Sequence, residues 1–562
     1  MKITHLHIEN FRSIQSLDFS PSGYSVLIGE NNSGKSNILH ALQLVIGESW
    51  PSERLFSEND FYNLDTSKEI NIRVLFDQSI EHWVNKFSCQ IQGFQLACKA
   101  YKRKTGKKNP GDLKCDYFCV DSKGEVISYP ADPLKKGEKY SGTWLPLRVN
   151  SEMRESIPLI YVDVMREYDR HSPSGRWTIL RKLFDDVNRE FQQSKDTVEV
   201  FLEPDQTKAK LTRQQAFQAR MRSAYELLKT DSFKKIEELL AKNALEHMGL
   251  TKEEGSISLH FDSHDPTNVY KSLQLVVSQL GIESSASDVG AGLQSAIVVG
   301  ILRTYEELKR EGAVFAIEEP EVFLHPQKAR YFASVLHSIA ASGNQVFVST
   351  HSPIFVNIHR TEDVCIVRRS KEAGTKVKKA DKLNITLKER ELLRLLTEFD
   401  TQRNELFFAR KVLFTEGDTE KIIFPLAFKA LGFDINKLGI SVIECGGKTK
   451  IPLFIKVCQA IELPFYVVVD TDIHPINPNW PEKRQATQKE DNAKHARWNK
   501  AIADTLPKEN KVTWCSPDIE EICGLSRNSS TKIESAYEMF TGIKVDKVPD
   551  EIKDVIEKVI NL

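Results

Sequence analysis

No stretch of this 562-residue sequence approaches the ~20 consecutive apolar residues that a membrane-spanning helix needs, which excludes such a span. Cysteine is sparse and unpatterned. There are nine, an odd number, and no pair has partners at zinc-site spacing. Reduced thiols in a cytoplasmic protein are therefore expected, not a disulfide framework. The start, MKITHLHIENFRSI, alternates like a strand and lacks the apolar core of a signal peptide. An excess of one charge is lacking too. Lys and Arg number 77 against 78 Asp and Glu, so no global positive field draws the chain to nucleic acid, and any such contact must use local patches. No internal repeat is present.

What the sequence does have is an ordinary globular composition, 40% hydrophobic and 28% charged. At this length about three or four domains are expected. Residues 1–165 mix alternating strands with one helix after Lys35. Residues 166–280 turn helical and charged, as in WTILRKLFDDVNREFQQ and RQQAFQARMRSAYELLKTDSFKKIEELLAK, with apolar residues three and four apart as in packed or self-associating helices. Across 281–395 short apolar runs return at VFAIEEP and QVFVSTHSP, as expected of buried parallel strands. A polar, basic stretch, VRRSKEAGTKVKKADKLNITLKER, precedes a last block, 396–562.

The most specific motif runs from Gly29 to Ser36, GENNSGKS. It follows the apolar strand YSVLI and opens the helix SNILHALQLVI, which is the context a phosphate-binding loop requires. Backbone N–H groups from Asn32 to Gly34 and the helix N-terminus would cradle phosphate oxygens. Lys35 would neutralise the β- and γ-phosphates, and Ser36 would complete a magnesium shell. Far downstream, the strand VFAI ends in Glu318 and Glu319. Glu318 would hold magnesium through water, and Glu319 would orient or activate the attacking water. A second strand, VFVST, delivers His351 to the same edge, within reach of the γ-phosphate. An acidic pair after a strand is often only a helix cap; the order of all three features makes the pattern specific.

NFRSI, the phosphate loop, the late EEPE and THSP resemble the ABC-type ATPase heads of the SMC, Rad50 and RecF group, over residues 1 to about 395 less the helical middle. The resemblance implies that two heads sandwich ATP, the loop of one facing a signature motif of the other. The matching segment is Val289-Gly290-Ala291-Gly292-Leu293-Gln294, with Gly292 facing the nucleotide. Ala291 stands where the group usually has Ser, which implies slow ATP turnover while leaving binding and closure intact.

In the last block the strand KVLFT ends in Glu416, and Glu420 lies about one helical turn beyond it. The strand FYVVV ends in Asp470-Thr471-Asp472, whose two aspartates share one side and can address one metal. Hard carboxylate oxygens suit Mg²⁺ or Mn²⁺. The spacing of EGDTE and DTD, with ECGGK between them, resembles the Toprim domain, which implies Glu416, Asp470 and Asp472 as the catalytic acidic set. A later acidic turn, SPDIEE, is either an acid-decorated helix N-terminus or the source of Asp518 and Glu520 for a second metal.

An ABC-type head with a helical insertion followed by a Toprim α/β domain resembles the OLD (overcoming lysogenization defect) family of nucleases over nearly the whole chain. That family implies a homodimer or higher even oligomer through the inserted helices. It further implies metal-dependent cutting or nicking of DNA, often in bacterial defence against phage. Two ions about 4 Å apart would bind one phosphodiester. The family's catalytic lysine is expected past the acidic turn, where Lys532 is the nearest candidate. A helicase or a non-coding nucleic acid as working partner is compatible with this reading. DNA would be held mainly by its phosphates. Residues 99–114 and 366–390 are locally basic and fit either solvated loops or DNA contacts. The alternative is a non-catalytic, RecF-like ATP-dependent DNA clamp with vestigial carboxylates. A topoisomerase would need a tyrosine-bearing domain that is lacking, and a primase a zinc segment.

Overall fold

A computed structural model describes residues 1–562 apart from 48, 102–108, 110, 134–139, 167–177, 203–206, 229, 232, 236–237, 239–272, 274, 280–281, 309–311, 381–382, 398–400, 508–510 and 526–531. Residues 102–108 and 110 of the basic stretch 99–114, and residues 236, 237 and 239–242 at the end of the predicted helical run, lie outside the described residues. The chain divides into two compact units: Met1–Val164 with Glu311–Leu562, and Met165–Arg310.

The first unit opens with β1 (Ile3–Phe11), β2 (Ile14–Phe19), β3 (Tyr24–Ile28), α1 (Lys35–Ile46), β4 (Ile70–Val84), β5 (Phe87–Ala100), β6 (Leu113–Val120) and β7 (Leu159–Val162). Five of these strands form an antiparallel sheet in the order β2-β1-β4-β5-β6. β4 begins with strict alternation of buried and half-buried residues, as expected when one face of a sheet meets the core. That core includes Leu6, Ile8, Ile72, Val74, Phe94 and Leu96, packed against Ile38, Leu39 and Leu42 of α1.

The second unit contains α2 (Ile179–Gln193), α3 (Arg213–Leu228) and α4 (Ala291–Glu307). Two hairpins also occur here, Thr197–Leu202 with Thr207–Thr212 and Val276–Gln279 with Ile282–Ser285. The apolar spacing predicts helix across this region, and the hairpins depart from it. TVEVFL and TKAKLT carry period-two alternation and β-branched residues, and they pair as strands for that reason.

Back in the first unit, β8 (Val314–Glu318), α5 (Pro326–Ala341), β9 (Gln345–Ser349), β10 (Val364–Ser370) and β11 (Gly374–Lys379) complete a six-stranded sheet in the order β11-β10-β3-β9-β8-β7. β10, β3, β9, β8 and β7 are mutually parallel, and only β11 runs antiparallel. Every residue of β3, β8 and β9 is buried, as continuous apolar strands covered on both faces must be.

The C-terminal module follows in the same unit: β12 (Lys411–Thr415), α6 (Asp418–Ala430), β13 (Ile440–Glu444), α7 (Ile451–Ile461), β14 (Phe465–Asp470), α8 (Glu482–Thr505), β15 (Val512–Cys515), α9 (Ile519–Cys523) and α10 (Lys532–Phe540). Its four strands are parallel in the order β13-β12-β14-β15. The chain leaves β12 for β13 on one side and then returns across to β14 on the other. The C-terminal ends of β12 and β14 therefore flank a topological switch point, where open parallel sheets hold ligands. Leu413, Phe424, Phe428, Tyr466 and Val468 fill one layer of this module's core.

Phe414, fully buried in β12, lies 5.8 Å from the ring of Phe454 and 6.1 Å from that of Phe465. Phe414→Ala is expected to cost the C-terminal module about 3–5 kcal/mol, read as a lowered urea midpoint; a cost near zero would show that this layer is not close-packed.

Candidate functional site

Two chemically distinct sites lie at sheet edges of the first unit. At the first, β3 turns into residues 29–34, with Asn32 at φ 63° and Gly34 at φ 105°. A Cβ on Gly34 would stand 2.4 Å from Thr375 Oγ1, so only glycine lets this loop seat against β11. Thr375 Oγ1 also donates to the carbonyl of Ser33 at 2.7 Å. Lys35, nearly buried, donates to the carbonyls of Gly29 and Glu30 at 3.1 and 3.2 Å, and its Nζ lies 2.8 Å from His351 Nε2. Burial holds Lys35 below the usual lysine range. Burial and the Lys35 charge depress His351 as well, so the imidazole is neutral and accepts from the ammonium. Ser36 is exposed in the first turn of α1.

Glu318 ends β8, and Glu319 follows at φ 41°, its N–H donating to the carbonyl of Ser349 at 2.8 Å. Left-handed backbone at a non-glycine residue costs roughly 1–3 kcal/mol and persists where the surroundings over-determine it. Glu319 and Glu321 both accept from the His351 N–H, at 3.2 and 2.8 Å. Burial, then contact with Glu321, raise the Glu319 carboxyl well above the usual carboxylate range. A cleft of about 890 Å³ opens beside Asn31 and Asn32, lined also by Arg368 and Arg369 and by Arg410 and Pro464 of the C-terminal module. That volume suits a nucleotide.

In the second unit Gly292 is the second residue of α4. The turn before the helix is fixed by the Gln294 side-chain amide, which donates to the carbonyls of Ser287 and Val289, both at 2.9 Å.

The second site lies at the switch point. Glu416 follows β12, Asp470 ends β14, and Asp472 sits two residues on at φ 51°. Asp470 Oδ1 accepts from the N–H of Ile519 at 2.9 Å, and Glu420 Oε2 from that of Gly417 at 3.2 Å. Lys532 Nζ lies 2.8 Å from Glu520. Asp518 caps α9, accepting from the N–H of Glu521 at 2.9 Å. Burial raises Glu416 to about 7, Glu420 to about 8 and Asp470 to about 9; neighbouring carboxylates add to each shift, among them Glu416, Glu420, Asp472 and Glu520 around Asp470. The named acidic residues thus form one repelling group, with Asp518 at its margin as a cap.

Sequence reasoning passed over two neighbours. Lys448, from the ECGGK loop, lies 2.5 Å from Asp472 Oδ2 and 3.9 Å from Glu416 Oε2, and His495 Nδ1 lies 3.2 Å from Asp472 Oδ2. The signal for Lys448 was a lysine straight after two glycines at a strand end. His495 had none, since it arrives on a helix 23 residues beyond Asp472.

A divalent cation fits this donor set. The oxygens are hard, their charges repel, and Glu416 Oε2 is buried with no hydrogen-bond partner. Among the described residues no three His, Cys, Asp or Glu side chains form a ready-made metal cage. Protein cations and backbone N–H groups hold the carboxylates instead.

The basic segments are partly structural. Lys376 and Lys379 donate to the carbonyls of Ser16 and Ser20, Lys378 pairs with Glu462 and Arg390 with Glu362, while Arg368, Arg369 and Lys371 stay exposed. Of the earlier stretch, Lys99 pairs with Glu69 and Lys114 with Asp116.

Residues 407–472 match the model of the overcoming lysogenization defect protein-like TOPRIM domain, and residues 1–135 and 166–356 match an AAA ATPase domain. An OLD nuclease of Thermus scotoductus is 31% identical over 99% of this chain and 98% of its own length. This chain belongs to the OLD family of nucleases. It is also similar to the Old nuclease of Escherichia phage P2, 23% identical over 84% of this chain and 77% of that protein. Endonuclease GajA of Bacillus cereus is 22% identical over 80% and 71% respectively. An ATPase domain and a Toprim domain in one chain imply use of ATP and of a divalent metal. No helix among the described residues is long and apolar enough to cross a membrane.

The carboxyl shifts set a pH dependence. Glu416, Glu420 and Asp470 keep protons in the fold up to about 7, 8 and 9, whereas the unfolded chain loses them near the ordinary values of 4.5 for Glu and 3.8 for Asp. The unfolded state therefore binds fewer protons between those limits, and stability from these groups is full at low pH and lost as pH rises through them. The metal-free protein should lose thermal stability from about pH 5 to 9 more steeply than Asp470→Asn. Mg²⁺ should restore more of it at the alkaline end. Equal slopes for the two proteins would contradict the shared-charge picture.

Proposed function

We propose that this chain is a divalent-metal-dependent DNA endonuclease whose cleavage is gated by ATP, working in bacterial defence against phage. The observation that carries the reading is the group of repelling carboxylates at the switch point between β12 and β14, in one compact unit with a phosphate-binding loop.

In this reading Glu416, Glu420, Asp470 and Asp472 hold Mg²⁺ or Mn²⁺, with Glu520 and Asp518 on the side of a second ion. Bound there, such ions supply charge for the phosphodiester and lower the pKa of water. The side chains do the rest. Asp470, tied to the Ile519 N–H, keeps one carboxylate oxygen fixed in direction. Lys532, paired with Glu520, places a positive charge at the margin for the departing oxygen or a neighbouring phosphate. No side-chain nucleophile is required. Contacts to phosphates rather than bases imply cutting with little sequence information. Residues 1–165 and 281–395 act as the ATPase, 166–280 as the dimerisation insert and 396–562 as the nuclease.

Asn32, Gly34, Lys35 and Ser36 would receive the ATP phosphates and its magnesium, with Glu318 behind the ion and Glu319 on the attacking water. Gly292 of a second protomer would close over the nucleotide. His351 would lie against the γ-phosphate, and its loop touches the nuclease module's approach. Asn404 donates to the carbonyl of Pro353 at 3.3 Å, while Arg403 donates to the carbonyl and carboxylate of Glu444 at 3.0 and 2.9 Å. A shift at His351 thus has a short physical route to the ECGGK loop.

Incubation with supercoiled plasmid and Mg²⁺ or Mn²⁺ should relax or linearise the DNA. Because loss of a mere outer-shell partner costs about 10–100-fold, Asp470→Ala should lose at least the upper end of that range. DNA binding without cleavage under any metal would favour the RecF-like clamp. For gating, cleavage measured at rising ATP should change in the wild type and stay flat in Lys35→Ala, with either sign of response fitting the route. A flat wild-type response would sink the gate.

A further inference from the structure

Lys448 is only 3% exposed, yet it projects among carboxylates whose role in holding a divalent cation rests on the proposed function. Its ammonium is 2.5 Å from Asp472 Oδ2, 3.9 Å from Glu416 Oε2 and 3.5 Å from His495 Nδ1. An ammonium removed from water is costly unless ion-paired, and here the carboxylates supply the pairing. The loop that carries it is pinned on both sides. Cys445 N–H donates to the carbonyl of Thr415 and Gly447 N–H to that of Glu416, each at 3.0 Å, while Arg403 grips Glu444. Gly446 and Gly447, at φ 77° and 107°, let the chain double back so that the next side chain enters the site. Glu416 Oε2 remains without a hydrogen-bond partner, because the ammonium leans to Asp472.

A divalent cation drawing on both Glu416 and Asp472 would stand where this ammonium now stands. Two positive charges within about 4 Å of each other repel strongly at the partial burial found here. Cation and ammonium therefore compete for Asp472.

We propose that Lys448 is a positioning residue of the nuclease site: it is the resident counter-cation of Asp472 and Glu416 in the metal-free protein, and divalent metal loads only by displacing it. The displaced ammonium stays on its pinned loop, beside the place where a phosphodiester would meet the cation. A phosphate oxygen arriving with DNA would give it a new partner and so favour metal loading. The site would then be weakly metallated until substrate arrives, a restraint suited to a nuclease that shares a cell with its own genome.

The test is calorimetric titration of the full chain with Mn²⁺, without nucleotide or DNA, so that no cleavage enters the readout. Asp470→Ala marks the heat that belongs to this site. Lys448→Met should bind Mn²⁺ about tenfold more tightly than the wild type, because a competing charge is gone. Lys448→Arg, which keeps the charge, should bind as the wild type does. A purely structural lysine would give the opposite sign, since its loss would loosen the carboxylates and weaken binding. Should Lys448→Met fail to fold, Lys448→Gln carries the same comparison. Unchanged or weaker binding in the uncharged variant, with wild-type binding intact, overturns this inference alone. Absence of site-specific Mn²⁺ binding in the wild type overturns the metal-dependent reading itself and this inference with it.

Discussion

Like charges forced together at the end of a buried parallel sheet are the constraint on which the nuclease module turns. β12 and β14 are neighbours, so the residues that follow them, Glu416 and Asp470, must share one edge. α6 adds Glu420 and α9 adds Glu520, both almost fully buried. A protein that retains such a group must neutralise it. In the metal-free chain that is done by retained protons, by Lys448 and Lys532, and by the N–H groups of Gly417 and Ile519. A divalent cation would satisfy the same charges with a single species.

The ATPase edge obeys the same topology with different chemistry. β3, β9 and β8 lie side by side, which brings Lys35, His351 and Glu319 together from segments about three hundred residues apart. Neutral His351 accepts from Lys35, and burial beside Glu321 holds the Glu319 carboxyl well above the usual carboxylate range, so charge at this edge is partly compensated too. Asn404 and Arg403 are among the physical links between the two sites, touching the His351 loop and the Glu444 loop from adjacent positions in the chain. The exposed Arg410–Glu30 pair adds contact at 2.7 Å but little energy, being open to solvent.

The basic stretch at 366–390 shows how packing divides a run of charge that composition presents as one. Three of its lysines brace β11 against Ser16, Ser20 and Glu462, while Arg368, Arg369 and Lys371 stand exposed together at the end of β10 and in the turn to β11, and Lys388 is exposed further on. The TVEVFL and TKAKLT hairpin makes a similar point. Amphipathic helices on either side dominate the periodicity, and the short period-two alternation between them is visible only once the strands pair.

Local sequence determined the phosphate loop, since a glycine-rich turn between an apolar strand and a helix is a backbone device readable within about twenty residues. It also determined that Glu416, Asp470 and Asp472 stand at strand ends, because apolar runs mark buried strands and polar residues mark where they surface. Tertiary structure decided the rest. Whether Lys532 or Lys448 faces the carboxylates, whether Asp518 is a free ligand or a helix cap, and that His495 joins Asp472 from a distant helix depend on how crossovers return to one edge. Spacing along the chain cannot encode that, because strand order sets which ends become neighbours and burial sets which of their charges must be paired.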